Sequence, residues 1–413
     1  LRTRKKEKRV EAELSAVPPT ASRRRWLVAT VATVFVLFAG WGVMQYRRAA
    51  ELSDLRRACR LAEQAGSWQE LQRAAERWVA LQPFNDQAIM HLATAKKSLE
   101  DWVGFVDAVE QLPVSNAYLV PSLAVAGDVA IDHLEDIDRA ERLFWAILAI
   151  DPRNEQAYQR LIFLYSMTLQ KAKLQAVIRQ AIERGAQPVE AGVYLTTMSA
   201  LNFSDGLFRV AGWRAATPGR EPLEVAYAIY LARASGNESN RVLRMLDSQV
   251  PEYGTLDIAR RMQERYPNNI ELLSFWIDHA MERGEVEQVR EALSRWQPEL
   301  QGDYRYWRYL GWLQDMSGDL ETSLSSYRKS LSIHPLDWRA RNEMATLQRA
   351  LGVDGAAANA ELAAEGKELE RTLKELPSAS QLSTVNAEKL GEYARKCGDS
   401  VAERAFRRGA GGA

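Results

Sequence analysis

The residues best suited to chemistry in this chain are arginines gathered on one side of a short stretch. From Tyr304 to Gln314 the sequence reads Tyr-Arg-Tyr-Trp-Arg-Tyr-Leu-Gly-Trp-Leu-Gln, and Arg305, Arg308, Trp312 and Asp315 stand off the stripe made by Trp307, Leu310 and Gly311. Arg339 and Asn342 take equivalent places further along. A guanidinium is a planar fork that meets a carboxylate with two hydrogen bonds, and a tryptophan supplies a contact anchor. That set suits recognition of an acidic peptide or a C-terminal carboxylate, which is binding and not bond making. An ordinary solvated helix face is the competing reading of the same residues.

Catalytic constellations are missing from the sequence. The four histidines, His91, His133, His279 and His334, are scattered, and there is no HExxH, no GxSxG, no phosphate-cradling glycine loop and no dinucleotide fingerprint. Cys59 and Cys397 belong to no CxxC or Cys/His cluster, so neither a disulfide framework nor a zinc site is indicated. The expectation is a protein that is not an enzyme and takes no cofactor or metal. Trp78, Trp102, Trp145, Trp213, Trp276, Trp296 and Trp338 punctuate the chain near helix ends, and they read as packing between helices more readily than as sugar-stacking platforms.

The elements that position these residues are helices. Lys plus Arg and Asp plus Glu each number 54, so the formal net charge is zero and no strongly basic surface recommends nucleic acid. Beyond the first 50 residues the chain is rich in Ala, Leu, Arg, Glu and Gln, and period-two runs of Val, Ile and Thr are hard to find, which makes the fold all-α.

Between Arg25 and Arg47 there is no charged side chain, a gap running from Trp26 to Tyr46. Such a helix spans about 31 Å, the thickness of a bilayer's hydrocarbon, with aromatics near its ends as interfacial anchors. A cleaved secretory signal is the alternative; the length of the run and the absence of an A-x-A-like site favour a retained anchor. Basic residues cluster before it, at Arg2, Arg4, Lys5, Lys6, Lys8, Arg9 and Arg23 to Arg25, and this places the N-terminus in the cytoplasm and the large domain on the far side. The Ala/Arg/Leu bias and the initial Leu suggest a bacterial inner-membrane protein facing the periplasm.

A repeat organises the rest. Trp307, Leu310, Gly311, Gly318, Tyr327 and Pro335 recur in a phase that resembles the tetratricopeptide repeat, with Gln314 where that pattern has Tyr and Ser323 where it has a small Ala. Pro83 to Pro152 is 69 residues and Pro267 to Pro335 is 68, each close to two 34-residue periods. From Pro152 to Pro267 there are 115, so one unit is longer, with Asn202–Gly206 and Thr217–Arg220 as the places expected to hold the extra length. The resemblance implies a right-handed solenoid of about eight helix-turn-helix pairs preceded by one transmembrane helix. Its first helices would line a concave wall that takes peptides or partner helices, with Arg305, Arg308, Trp312, Arg339 and Asn342 on it. Some relatives clamp a carboxylate with Lys and Asn; here Arg308 stands at the Lys place and Trp312 at the Asn place.

The expected organisation is a basic disordered cytoplasmic arm over 1–25, a span over 26–46 and the repeat array over 47–351. A long capping helix over 352–376 follows, then a helical hairpin with a frayed tail over 377–413. The expected function is a membrane-anchored scaffold or adaptor that binds protein or peptide partners and takes no nucleic acid. A permanent structural subunit of a larger membrane complex is the second reading, and an enzyme with an unrecognised site between repeats the third. A homo-oligomer stays possible but is not indicated.

Overall fold

The computed structural model describes residues 21–186, 188, 190–234, 255–297, 302–376 and 378–410. The expected basic arm lies outside them as far as residue 20, as do the expected helix break at Pro377 and the last residues of the tail. Among the described residues there are twenty α-helices and no strand. They fall into two compact units, Leu1–Asn116 and Ala117–Ala413.

The first unit holds α1 (Ala21–Gln64), α2 (Trp68–Leu81), α3 (Asp86–Ser98) and α4 (Trp102–Glu110). Helix α1 is 44 residues long and is the one described helix long and apolar enough to cross a membrane. Its apolar side chains stand out from the protein, Phe35 at 74% exposure and Trp41 at 61%. The apolar run passes without a break into a polar half. The helix continues through Arg47 to Gln64, and α2 and α3 pack against it.

The second unit runs α5 (Leu119–Asp132), α6 (Ile137–Ile150), α7 (Glu155–Met167), α8 (Lys171–Arg184), α9 (Glu190–Thr197), α10 (Gly206–Ala216) and α11 (Glu221–Arg233). It continues with α12 (Thr255–Arg265), α13 (Ile270–Glu282), α14 (Val286–Ser294), α15 (Tyr304–Met316), α16 (Leu320–Ile333), α17 (Trp338–Leu351), α18 (Ala356–Lys374), α19 (Thr384–Lys396) and α20 (Ser400–Ala410). Most consecutive helices pack as hairpins and the hairpins pack on one another, except that α10 packs on α11 and not on α9. The long helix expected near the end is α18, the second helix of the hairpin opened by α17.

Local sequence explains the rhythm. Each closing proline is followed two residues later by an N-cap: Asn85, Asn154, Asn269 and Asp337 each accept a backbone N–H of the helix they open. Inside the hairpins the chain must turn through a left-handed residue, and these recur at Gly66, Glu100, Glu135 and Leu169, then at Gly284, Gly318 and Gly352. The spacing is 34 or 35 within each run. First helices α13, α15 and α17 begin 34 residues apart, whereas α11 and α13 begin 49 apart. The extra length therefore falls between Arg233 and Thr255, because α11 and α12 pack together across it. Asn202–Gly206 and Thr217–Arg220, expected to carry it, are short connections between helices.

Helices approach closely where a glycine faces an aromatic ring. A Cβ on Gly311 would sit 2.9 Å from the Tyr327 ring, on Gly127 2.5 Å from Phe144, and on Gly206 2.5 Å from Tyr230. Ser323 takes the small-residue place and donates its hydroxyl to the Gly311 carbonyl at 2.8 Å. These helix pairs are tetratricopeptide-like.

Each unit of an open solenoid touches only its neighbours. Here α8 and α9 also pack on α18 and α20. A Cβ on Gly192 of α9 would overlap the Phe406 ring of α20, 2.0 Å away, so the glycine-to-ring device of the hairpins also joins helices distant in sequence.

Candidate partner-binding surface

Helix α15 carries the arginines that the sequence singles out. Its N-cap is Asp303, which accepts the Arg305 backbone N–H at 2.9 Å. The same aspartate holds the Arg305 side chain at 2.6 Å, and Glu271 of α13 takes both terminal nitrogens at 2.6 and 2.9 Å. Arg305 is 1% exposed. Burial opposes its charge, but Asp303 and Glu271 outweigh burial and hold the guanidinium protonated well above its ordinary range. Burial likewise opposes the Asp303 carboxylate, and Arg305 outweighs it and holds the group below the usual range.

Arg308 is also buried, 6% exposed, with Ser199 at 3.3 Å, Asp337 at 3.4 Å and Asp278 at 3.5 Å. Tyr304 meets Ser199 at 3.2 Å, and the Lys171 backbone N–H donates to Glu271 at 3.0 Å. Ser199 thus lies against the buried side of α15, and Lys171 against its partner Glu271 on α13. Arg305 and Arg308 were expected on an open wall, and the structure places them inside, with their charge matched by Asp303, Glu271 and Asp337. The other three lie nearer solvent. Arg339 grips Glu370 at 2.7 and 3.1 Å, Trp312 is half-buried beside the core of Tyr309 and Leu313, and Asn342 is exposed and donates to Glu343 at 3.3 Å.

An open groove of about 480 Å³ lies on first helices where α7 and α9 run side by side. Gln156, Gln159 and Phe163 line it from α7, Glu190 and Tyr194 from α9, and Ser378 and Ala379 close one end. The Glu190 Oε2 atom is shielded from solvent and has no hydrogen-bond partner. Burial and the Glu190 charge together raise the neighbouring Glu155 carboxyl. Arg160, also on the rim, is paired with Asp128 at 2.8 Å. The groove therefore offers amides, two aromatic rings and an unmatched acceptor. Sequence reasoning missed it because α9 sits in the stretch where the repeat phase is hard to follow.

A second groove, about 560 Å³, lies among α12, α13 and α14 beside Trp276. Its arginines are satisfied locally: Arg283 by Glu285 at 2.7 Å, Arg295 by Glu291 and Arg260 by Asp257 at 3.3 Å.

Among the described residues no three His, Cys, Asp or Glu side chains come together as a metal would require. His334 is buried and its pKa is pushed down to about 4, chiefly by burial. His91 lies 3.0 Å from Glu63, and His279 stacks on Phe275. Burial pushes the Cys59 thiol up to about 11, with the Glu63 charge adding to it, and Cys397 is raised for the same first reason, so neither is a ready thiolate.

No protein-family model matches the chain. A stretch of 121 residues, 29% of the chain, is 27% identical to the protein O-mannosyl-transferase Tmtc3 of Drosophila melanogaster and spans only 13% of that protein. Among solved structures, the Cut9-Hcn1 hetero-tetramer of APC/C aligns over 87% of this chain and 72% of its own, with 12% identity and a TM-score of 0.33. A tetratricopeptide repeat protein from Parabacteroides merdae aligns over 72% of this chain and 99% of its own, with 11% identity and a TM-score of 0.27. The human IFIT1 dimer with m7Gppp-AAAA aligns over 85% and 74%, with 11% identity and a TM-score of 0.30. TM-scores this low carry no weight by themselves, and the repeat architecture rests on the helix pairs described above.

Proposed function

We propose that this chain is a membrane-anchored interaction scaffold, held by α1 and recognising a partner protein or peptide in the groove between α7 and α9. The observation that carries the reading is the unmatched Glu190 acceptor beside Tyr194 and Phe163, on neighbouring first helices of a repeat array. Aromatic rings give contact area at low entropic cost, and a buried acceptor without a donor rewards any partner that supplies one. Of the arginine-rich set, the more exposed Trp312, Arg339 and Asn342 stay as proposed further contacts, whereas Arg305 and Arg308 are paired inside the array. The charge bias around the apolar run favours a cytoplasmic N-terminus and a periplasmic array in a bacterial inner membrane.

Two experiments test this. A photo-crosslinking residue at Tyr194 of the full chain in its membrane should give a discrete adduct with another protein, and one at exposed Glu388 should not; no adduct at 194 would remove the groove from the proposal. Reporters active only outside or only inside the cytoplasm, fused after Ala413, give the topology. Activity of the inside reporter would reverse the orientation.

A further inference from the structure

Within the first unit, the contacts between α1 and α2 set the height of a loop. Arg48 donates to the Leu81 carbonyl at 2.8 Å, and Arg77 meets Glu51 at 2.5 Å. As the residue number rises on α1 it falls on α2, so α2 runs back toward the apolar half of α1. Continued at 1.5 Å per residue, this register brings Phe84 to within about one helical turn of Gln45 and Tyr46, where the apolar run ends. Phe84 is 85% exposed, more than any other large apolar side chain in the described residues.

The loop around it, Gln82-Pro83-Phe84-Asn85, has no charge. Helix α3 then leads away and α4 returns, ending in a second uncharged loop, Gln111-Leu-Pro-Val-Ser-Asn116, where Val114 is 77% exposed. At the opposite end of these hairpins no large apolar side chain stands at the turn tips: one turn is Ala65-Gly66-Ser67 and the other carries the acids Glu100 and Asp101. Arg47, beside Tyr46, is exposed at the level of the uncharged loops. Exposed apolar tips, uncharged backbone and a neighbouring arginine match the boundary between acyl chains and anionic headgroups.

We propose that the first unit rests on the lipid surface through these two loops, with Phe84 inserted at the boundary and Val114 beside it. This rests on α1 crossing the membrane. It adds that the bilayer is itself a docking partner of the array.

The test uses the full chain with Cys397→Ser, which leaves the buried Cys59 as the remaining native thiol. A single cysteine introduced by Phe84→Cys, Phe35→Cys or Glu100→Cys carries an environment-sensitive fluorophore. Each labelled protein is reconstituted into vesicles containing phosphatidylglycerol, with and without nitroxide-labelled lipid. Labels at 35 and 84 should be quenched by roughly twofold or more, and the label at 100 should not. Quenching at 35 without quenching at 84 overturns the docking and leaves the anchor standing. Absence of quenching at 35 overturns the anchor and the docking with it.

Discussion

Arg179 and Asp399 are joined by two hydrogen bonds, 2.6 and 2.5 Å long, across 220 residues of sequence. Asp399 also accepts the Ala402 backbone N–H at 3.0 Å, so one carboxylate both caps α20 and ties it to α8. The aspartate side chain is only 3% exposed. The pair therefore sits at the seam where the second unit meets itself.

Breaking that pair should be costly. Arg179→Met strands the Asp399 carboxylate, and we expect a loss of about 3 kcal/mol, in the range for removing one partner of a buried ion pair. Asp399→Asn in the same background should return part of it. Urea unfolding of the single and double variants measures the coupling.

Stability should also depend on pH through two buried bases. Burial, with help from Arg233 and Arg305, lowers the Lys171 pKa from 10.5 to about 7, against the pull of Glu271 and Asp278. A base with a depressed folded pKa leaves the unfolded chain holding more protons between the two values, so its contribution to stability grows as pH rises from 7 toward 10.5. Lys171→Met should flatten that rise. His334, lowered to about 4 from 6.5, works the same way in acid, and its stability is lost as pH falls through that window. Asp399 has its folded pKa lowered below 3.8, because Arg179 outweighs the burial that opposes it, and it adds a further loss below that value. Urea midpoints at about pH 2.5, 4, 7 and 9 check the three.

Adding one methyl group should open the seam. Gly192→Ala places a Cβ inside the Phe406 ring, and overpacking of this kind costs about 1–3 kcal/mol. Phe406→Leu in the same molecule should recover part of the loss. If the two changes simply add, the contact is not the one that matters.

One substitution should stabilise. Glu100 is exposed and holds φ at 59°, a left-handed conformation that costs an L-residue about 1–2 kcal/mol. Glu100→Gly removes that strain, and after the entropy cost of glycine we expect a net gain of up to about 1 kcal/mol. Leu169 has φ at 54° but is buried, so Leu169→Gly should instead destabilise. Thermal unfolding of both variants separates strain from burial.

The hairpin was legible in the sequence because its determinants are local. Gly311 and Tyr327 face each other within one unit, and the prolines marked the phase. The state of Arg305 was harder to read, although a signal was present: Glu271 and Arg305 hold the same place in first helices 34 residues apart, one period. An acid one period before an arginine is a candidate internal partner and not a free neighbour. The seam left no such mark. Gln175 donates to the Ile333 carbonyl at 3.2 Å and Arg179 meets Asp399 because the turn of successive hairpins brings them together. That turn accumulates over many packing angles, and no short stretch of residues encodes it. The groove at Glu190 and Tyr194 was hidden for a related reason, since its two walls come from units whose register the sequence left loose.

The meeting of α8 and α9 with α18 and α20 changes how the second unit can come apart. A stack held only by adjacent contacts can lose its end hairpins one at a time, each melting on its own schedule. Here the last hairpin is fastened to the middle of the unit, so fraying at the C-terminal end must first release Arg179 and Phe406. Loss of one end is thereby coupled to loss of the middle, and the unit is expected to melt as a single cooperative block instead of unzipping.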